Sequence, residues 1–192
     1  MLRSVVAGKI IKTLFWYALL ILTALGSDYV LHRLGLYSIG RYFGIVGTVL
    51  ILVSLTYSLR KRKVIAMGSP KFLLGMHEGL SWAGALMLLV HAGVHFNALL
   101  PWAALGLLLV VVASGFVGRL LLADARAAMS QRAASLAEQG LAAPEIEKRL
   151  LLDAVAVGAM NRWRRVHMPL TTILAALTLL HIASVLAYSR WP

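Results

Sequence analysis

The chain has 192 residues, 60% of them hydrophobic, and its mean hydropathy is +0.83. Soluble domains contain about half apolar residues, so this composition excludes an ordinary soluble domain and indicates an integral membrane protein. Nineteen Lys and Arg against seven Asp and Glu give a formal charge of +12. Because most of this charge lies between apolar runs, it indicates membrane topology rather than nucleic-acid binding. The absence of cysteine excludes disulfides, thiolate zinc sites and iron–sulfur clusters held by this chain.

Five apolar stretches are long enough to cross roughly 30 Å of bilayer hydrocarbon as helices, and ten-residue alternating strands are absent. We therefore predict an all-α integral membrane protein that forms a single domain over residues 1–192. A sizeable segment outside the membrane, residues 123–162, separates the last two spans. The predicted spans cover residues 12–30, 41–59, 71–96, 102–122 and 165–188.

The distribution of basic residues predicts the orientation. The N-terminus, the loop after the second span and the segment after the fourth span carry sixteen Lys and Arg, whereas the opposite side carries three. An excess of Lys and Arg marks the cytoplasmic side, so the N-terminus is expected inside and the C-terminus outside. Short loops and this bias favour a bacterial inner membrane with a periplasmic C-terminus. The predicted cytoplasmic end is called the inner end below, and the opposite end the outer end.

Two further segments allow alternative interpretations. The first apolar stretch resembles a signal peptide with a small-residue cleavage site at residues 24–26, and its removal would leave the other spans oriented as before. In the extramembrane segment, residues 130–139 are predicted to be helical with a stop at Gly140, and a second helix is predicted to start at Pro144. This second helix either lies on the lipid surface or docks a cytoplasmic partner.

Four histidines form two pairs with the same spacing: His77 and His91 in the third span, and His167 and His181 in the fifth. Fourteen residues turn to within about 40° of four whole turns, so both members of a pair face one side of their helix, roughly 21 Å apart along its axis. One span separates the two helices, so they run in the same direction. His77 is therefore expected beside His167 at the inner end, and His91 beside His181 at the outer end.

This arrangement favours a redox cofactor over simple helix packing. Polar side chains in hydrocarbon are costly and mark function, although a single histidine can serve only as a hydrogen-bond donor between helices. Two imidazoles on opposite sides of one iron form the ligand set of a bis-histidine haem, and here the pattern occurs at two depths. We therefore predict two haem b groups in a four-helix haem-binding bundle.

Other residues near the two levels are candidate haem contacts. His95 lies one turn beyond His91 and competes with it, but the depth of His91 matches that of His181. We predict that His95 binds a haem propionate, a further group or a substrate. A zinc site of His91 and His95 would lack the glutamate of H-E-x-x-H. Candidate counter-charges for haem propionates are Arg41 at the outer level and Arg119, Arg164 and Arg165 at the inner level.

The two H-x13-H pairs resemble the di-haem cytochrome b of bc complexes and the ferric-reductase-like transmembrane domains. The resemblance covers about residues 72–188 and rests on the four histidines and their topology. It implies that the two cross-helix pairs ligate two b-type haems that carry electrons across the membrane. A P-E-W-Y-type quinol motif and a flavin or nicotinamide domain are absent from the sequence, so bifurcated quinol oxidation and a complete ferric reductase are not implied.

The expected function is that of a di-haem electron-transfer subunit in a lipid bilayer. Its expected partners are a flavoprotein, an iron–sulfur protein or a cytochrome c, and a quinone or a periplasmic acceptor. One alternative is a self-sufficient oxidoreductase that uses quinone or superoxide at the outer haem, with His95 as the feature that favours it. Another is a haem-free assembly or transport protein. The direction of electron flow stays open, because haem potentials can outweigh the roughly 2.3 kcal/mol per 100 mV that favours outward transfer.

Overall fold

The computed structural model describes residues 2–93, 99–146 and 154–188, and in this part of the chain the regular structure is entirely helical. Residues 143–146 are also helical. Five stretches are long and apolar enough to span a membrane, which confirms the all-α, multi-pass prediction. The main helices are α1 (Leu2–Arg33), α2 (Tyr37–Ser54), α3 (Thr56–Lys61), α4 (Pro70–Ala92), α5 (Leu99–Glu138) and α6 (Ala154–Tyr188).

The fourth membrane helix extends much further than the sequence suggested. Its predicted span ends near residue 122, but α5 continues to Glu138, so the separate helix expected at residues 130–139 is the end of α5. Good helix formers fill this stretch and no Pro or Gly interrupts it. At about 1.5 Å per residue, a helix of this length reaches about 60 Å, twice the hydrocarbon thickness. The predicted stop is confirmed, because Gly140 takes φ 77° and its N–H donates to Ala137.

The third membrane helix has a well-defined start. Ser69 caps α4, since its hydroxyl accepts from the N–H of Phe72 at 3.3 Å, and Pro70 takes the first helical position. The helix ends at Ala92, and Gly93 follows with φ 52°. The predicted end of this span at residues 94–96 lies outside the described residues, as do residues 147–153 of the predicted extramembrane segment.

The helices associate as two antiparallel pairs, α2 with α4 and α5 with α6, and α1 packs across α4. A buried core joins α1, α4 and α5 through Leu20, Ala85 and Leu108. Within the described residues, no Cα atom of α4 comes within 8 Å of a Cα atom of α6. The two helices that carry the histidine pairs are therefore held apart, and only side chains bridge the space between them.

A seven-residue register aligns α2 with α4. Midway between the two histidines of α4, Gly84 meets Gly47 of α2: a Cβ built on either glycine would lie 2.9 Å from the carbonyl oxygen of the other. The backbones therefore touch at this point, as small residues allow in membrane helices. Positions seven residues to either side also pair across the interface, which is the spacing of coiled-coil-like packing. The paired positions are His77 with Ser54 and His91 with Gly40.

Candidate functional site

At the outer end, the structure brings His91 and His181 together. Their ring centres lie 6.4 Å apart, and the ring planes are inclined by 61°. The Nδ1 atom of His91 lies 2.9 Å from the carbonyl oxygen of Gly40, at the start of α2. One turn further along α2, a Cβ built on Gly44 would lie 2.8 Å from three atoms of the His91 ring. Only a glycine leaves room for the ring at this position, so the His91 imidazole packs directly against the backbone of α2.

The second histidine of the outer pair is held less firmly. Its ring has no hydrogen-bond partner within the described ranges 2–93, 99–146 and 154–188, although its carbonyl accepts the hydroxyl of Ser184 at 2.7 Å. The contact between the two rings is the one described ring contact of His181. The outer pair therefore combines a fixed imidazole on α4 with one on α6 that has more freedom to rotate.

At the inner end, His77 is anchored on the other end of α2. Its Nδ1 atom lies 3.1 Å from the carbonyl oxygen of Ser54, a residue only 1% exposed. The hydroxyl of Ser81 donates to the Ser54 hydroxyl at 3.1 Å, which in turn donates to the Ile51 carbonyl at 2.7 Å. Tyr57 stacks on the His77 ring with centres 5.8 Å apart. The ring is thus fixed by one hydrogen bond and one aromatic contact.

The other inner histidine is fixed by α5. The Nδ1 atom of His167 lies 3.1 Å from the Ser114 hydroxyl, and the Trp163 indole N–H donates to the Ser114 carbonyl at 2.8 Å. The Trp163 ring stacks on His167 with centres 4.7 Å apart and planes inclined by 20°. A Cβ built on Gly118 would overlap this indole, so the glycine makes room for it. His77 and His167 are close enough to interact electrostatically.

In three of the four histidines, these contacts engage Nδ1 and leave Nε2 available to bind a ligand. The Nδ1 atoms of His77, His91 and His167 all face a hydrogen-bond acceptor on a neighbouring helix. A metal-bound histidine usually donates its second ring N–H in this way, which fixes the tautomer and leaves Nε2 for the metal. The donor set is therefore chemically suited to a metal held through Nε2.

The outer spacing also fits a metal between two rings. An imidazole nitrogen lies about 2 Å from the metal that it binds and about 1 Å from its own ring centre, so two axial imidazoles have centres about 6 Å apart. The 6.4 Å between His91 and His181 agrees with this value. Among the described residues, no three His, Asp or Glu side chains form a metal cluster, so this part of the chain offers paired histidines rather than a zinc-type site.

The charged residues predicted near the site are found in different surroundings. The Arg119 guanidinium lies 3.6 Å from the carboxylate of Glu78, the neighbour of His77 in sequence. Arg164 and Arg165 are exposed on α6, and Arg164 lies within electrostatic range of Lys61. His95 lies outside the described residues. Arg41, the remaining predicted residue, lies at the outer end.

A cavity of about 320 Å³ opens beside the outer pair, between α1, α2 and the end of α4. His91 and Arg41 line it together with Asp28 and His32 of α1. The Asp28 side chain is only 17% exposed, and one of its carboxylate oxygens lies 3.3 Å from Nδ1 of His32. A carboxylate within a predicted membrane span is uncommon, which makes Asp28 a candidate functional residue. No residue of α6 lines this cavity, so it lies on the side of His91 away from His181.

Sequence reasoning missed the residues that hold the imidazoles. Trp163, Ser54 and Ser114 are not among the site residues predicted from the sequence. A usable signal was present in α2, because Gly40, Gly47 and Ser54 repeat the seven-residue spacing of the histidine helix. The Ser114 contact has no such pattern, since it depends on the register between α5 and α6.

Comparison with known proteins finds no match, whether among protein-family models, curated proteins or solved structures. These comparisons therefore show no family for this chain, and the resemblance noted in the sequence rests on the histidine pattern alone. What supports a function is the geometry of the site: two histidine pairs, two separated parallel helices and three engaged Nδ1 atoms.

Proposed function

We propose that this chain is a di-haem b-type cytochrome of the membrane, which relays electrons between its inner and outer ends. The observation that carries the proposal is the outer pair, because His91 and His181 face each other at 6.4 Å across helices whose backbones stay apart. If these two histidines served only to pack the helices together, a direct hydrogen bond between their rings would be expected, and within the described residues they make only a ring contact. The resemblance of the histidine pattern to di-haem cytochromes b supports the same function.

In this proposal, His77 and His167 hold the inner haem, and His91 and His181 hold the outer haem. Haem iron would supply reversible one-electron chemistry when bound, and a ligand set of two histidines would favour electron transfer over binding of oxygen. The chain's own residues orient three of these imidazoles through hydrogen bonds at Nδ1. Propionate counter-charges come from Arg41 at the outer end and from Arg119, Arg164 and Arg165 at the inner end.

The proposed setting is a bacterial inner membrane with the N-terminus in the cytoplasm. Sixteen of the nineteen basic residues lie on that side, which supports this orientation. Electron partners at the inner end are a flavoprotein or an iron–sulfur protein. At the outer end, the partner is a quinone or a periplasmic protein such as a cytochrome c.

A reduced-minus-oxidised visible spectrum of the purified chain, with haem quantified per polypeptide, tests this function. We expect two low-spin b-type haems per chain, and one in His91→Gln or His167→Gln. His32→Gln is the matched control, because it removes an imidazole near the outer end that belongs to neither pair and should leave both haems. A colourless chain that cannot be reconstituted with haem would favour the haem-free assembly or transport protein instead.

A second candidate function is favoured by the cavity beside His91. A self-sufficient enzyme would react with a small substrate, such as a quinol or superoxide, next to the outer haem. The cavity offers a carboxylate in Asp28 and a cation in Arg41 within mainly apolar walls, which suits a lipid-soluble molecule with hydroxyl or carbonyl groups. This function predicts that a short-chain quinol reduces the haems of the isolated chain without another protein.

Asp28→Asn separates the two candidates. If the chain is itself the enzyme, the variant should keep both haems and lose at least about tenfold in the rate of reduction by quinol, since one good interaction in the transition state contributes about 1.4 kcal/mol. Reduction by dithionite, which does not need the cavity, is the internal control. An unchanged rate with quinol would show that the cavity beside His91 is not where a substrate reacts, and would remove the observation that favours the enzyme.

A further inference from the structure

Three residues, Ser114, Gly118 and Trp163, surround the His167 imidazole at the inner end. Ser114 contributes both its hydroxyl, to the imidazole, and its carbonyl, to the indole N–H of Trp163. Trp163 covers one face of the imidazole at 4.7 Å, and Gly118 gives the indole its space. These residues, Ser114, Gly118 and Trp163, are called the His167 clamp.

The clamp restricts both degrees of freedom of the imidazole. The stacked indole limits tilting of the ring out of its plane, and the hydrogen bond to Ser114 fixes its rotation about the side-chain bond. Because the carbonyl of Ser114 holds the indole in turn, one residue of α5 sets the ring and its aromatic cover together. This is the second-layer support that metal-binding histidines require for a defined ligand geometry.

The direction of the hydrogen bond also has an electronic consequence. When Nε2 binds a metal, Nδ1 carries the proton, so the Ser114 hydroxyl accepts. An acceptor at Nδ1–H makes Nε2 a stronger electron donor, and this stabilises the oxidised state of the iron that it binds. Loss of the acceptor should therefore raise the reduction potential of that iron.

We propose that Ser114 is a positioning residue that orients His167 and lowers the reduction potential of the inner haem. This inference rests on the proposed di-haem function and adds a residue-level determinant to it. Ser114 does not touch the iron, and it acts only through His167. The other inner histidine needs no side-chain hydroxyl, because His77 is anchored by the main-chain carbonyl of Ser54.

That difference provides a matched pair of variants. Ser114→Ala removes the hydroxyl acceptor but keeps the carbonyl that holds Trp163. Ser54→Ala removes a hydroxyl at the same end but keeps the carbonyl that accepts from His77. Ser114→Thr restores a hydroxyl and is the conservative rescue. If a serine hydroxyl at this end served only helix packing, Ser54→Ala and Ser114→Ala would shift the potential of the inner haem alike.

The experiment is a potentiometric redox titration of the purified protein and the three serine variants, with haem counted per chain. His167→Gln identifies which of the two midpoint potentials belongs to the inner haem. We expect Ser114→Ala to raise that potential and leave the other unchanged, and Ser114→Thr and Ser54→Ala to match the unmodified chain. Low-spin electron paramagnetic resonance spectra should change in Gly118→Ala, because displacement of Trp163 releases the ring.

The possible outcomes distinguish a failure of this inference from a failure of the proposed di-haem function. Two haems with unshifted potentials in Ser114→Ala, or an equal shift in Ser54→Ala, would overturn the role of Ser114 and leave the di-haem function standing. Loss of the inner haem in Ser114→Ala but not in Ser114→Thr supports the positioning role, whereas its loss in both overturns it. A chain that binds no haem would overturn both proposals.

Discussion

The two ends of the helix bundle hold their histidines in different ways. At the inner end, both imidazoles make a hydrogen bond to a neighbouring helix and both stack on an aromatic ring. At the outer end, His91 sits on α2, whereas His181 makes only the ring contact with His91 within the described residues. A cavity of about 320 Å³ adjoins the outer pair.

If the chain binds the two haems proposed above, this difference favours different tasks at the two ends. A ligand pair that is fixed on both sides keeps its geometry when the charge of a bound cofactor changes, which suits electron transfer between proteins. At the outer end, the loosely held His181 ring tolerates rearrangement, and the cavity beside His91 can admit a small molecule. We therefore expect small-molecule chemistry at the outer end and protein partners at the inner end.

The largest expected effect comes from Gly44, which supports the outer pair alone. Gly44→Leu should displace the His91 ring, because even a Cβ would lie 2.8 Å from three of its atoms. We expect the haem content to fall from two per chain to one, with the inner haem retained. Gly106→Leu is the control, since a Cβ there meets no atom within 4 Å. If Gly44→Leu still bound two haems, the result would contradict the role of α2 in positioning His91.

A smaller effect, shared by both ends, is expected where α2 and α4 touch. Gly84→Ala places a Cβ 2.7 Å from Ile51 and 2.9 Å from the Gly47 carbonyl. Overpacking costs about 1–3 kcal/mol, which exceeds the roughly 1 kcal/mol that alanine gains over glycine in a helix. We expect a lower melting temperature in detergent, measured by circular dichroism, and loosening of both pairs.

Gly79→Ala on the same helix isolates the packing contribution. Its Cβ meets no atom within 4 Å, so only the helix-propensity gain applies and the melting temperature should rise slightly. If both variants shifted the melting temperature in the same direction, the contact between Gly47 and Gly84 would have no role in holding the ends in register.

The membrane spans could be predicted from sequence because hydrophobic length and helix formation follow directly from the bilayer. The juxtaposition of His91 with His181 followed from helix periodicity and the parallel direction of two spans. The prediction of a separate helix at residues 130–139 was wrong, because no Pro or Gly interrupts α5 between residue 122 and Gly140. The contacts of His167 with Ser114 and Trp163 depend on the register of two long helices, which no local pattern fixes.

The smallest expected effect concerns the ion pair between Glu78 and Arg119 at the inner end. Arg119 is 63% exposed, so the pair contributes less than about 1 kcal/mol to stability, and single substitutions should leave the melting temperature almost unchanged. The potential of the inner haem is a more sensitive readout, because the two charges act on it in opposite directions. Removing the cation in Arg119→Gln should lower that potential, and removing the anion in Glu78→Gln should raise it. A shift in the potential of the outer haem instead would contradict the assignment of the two ends.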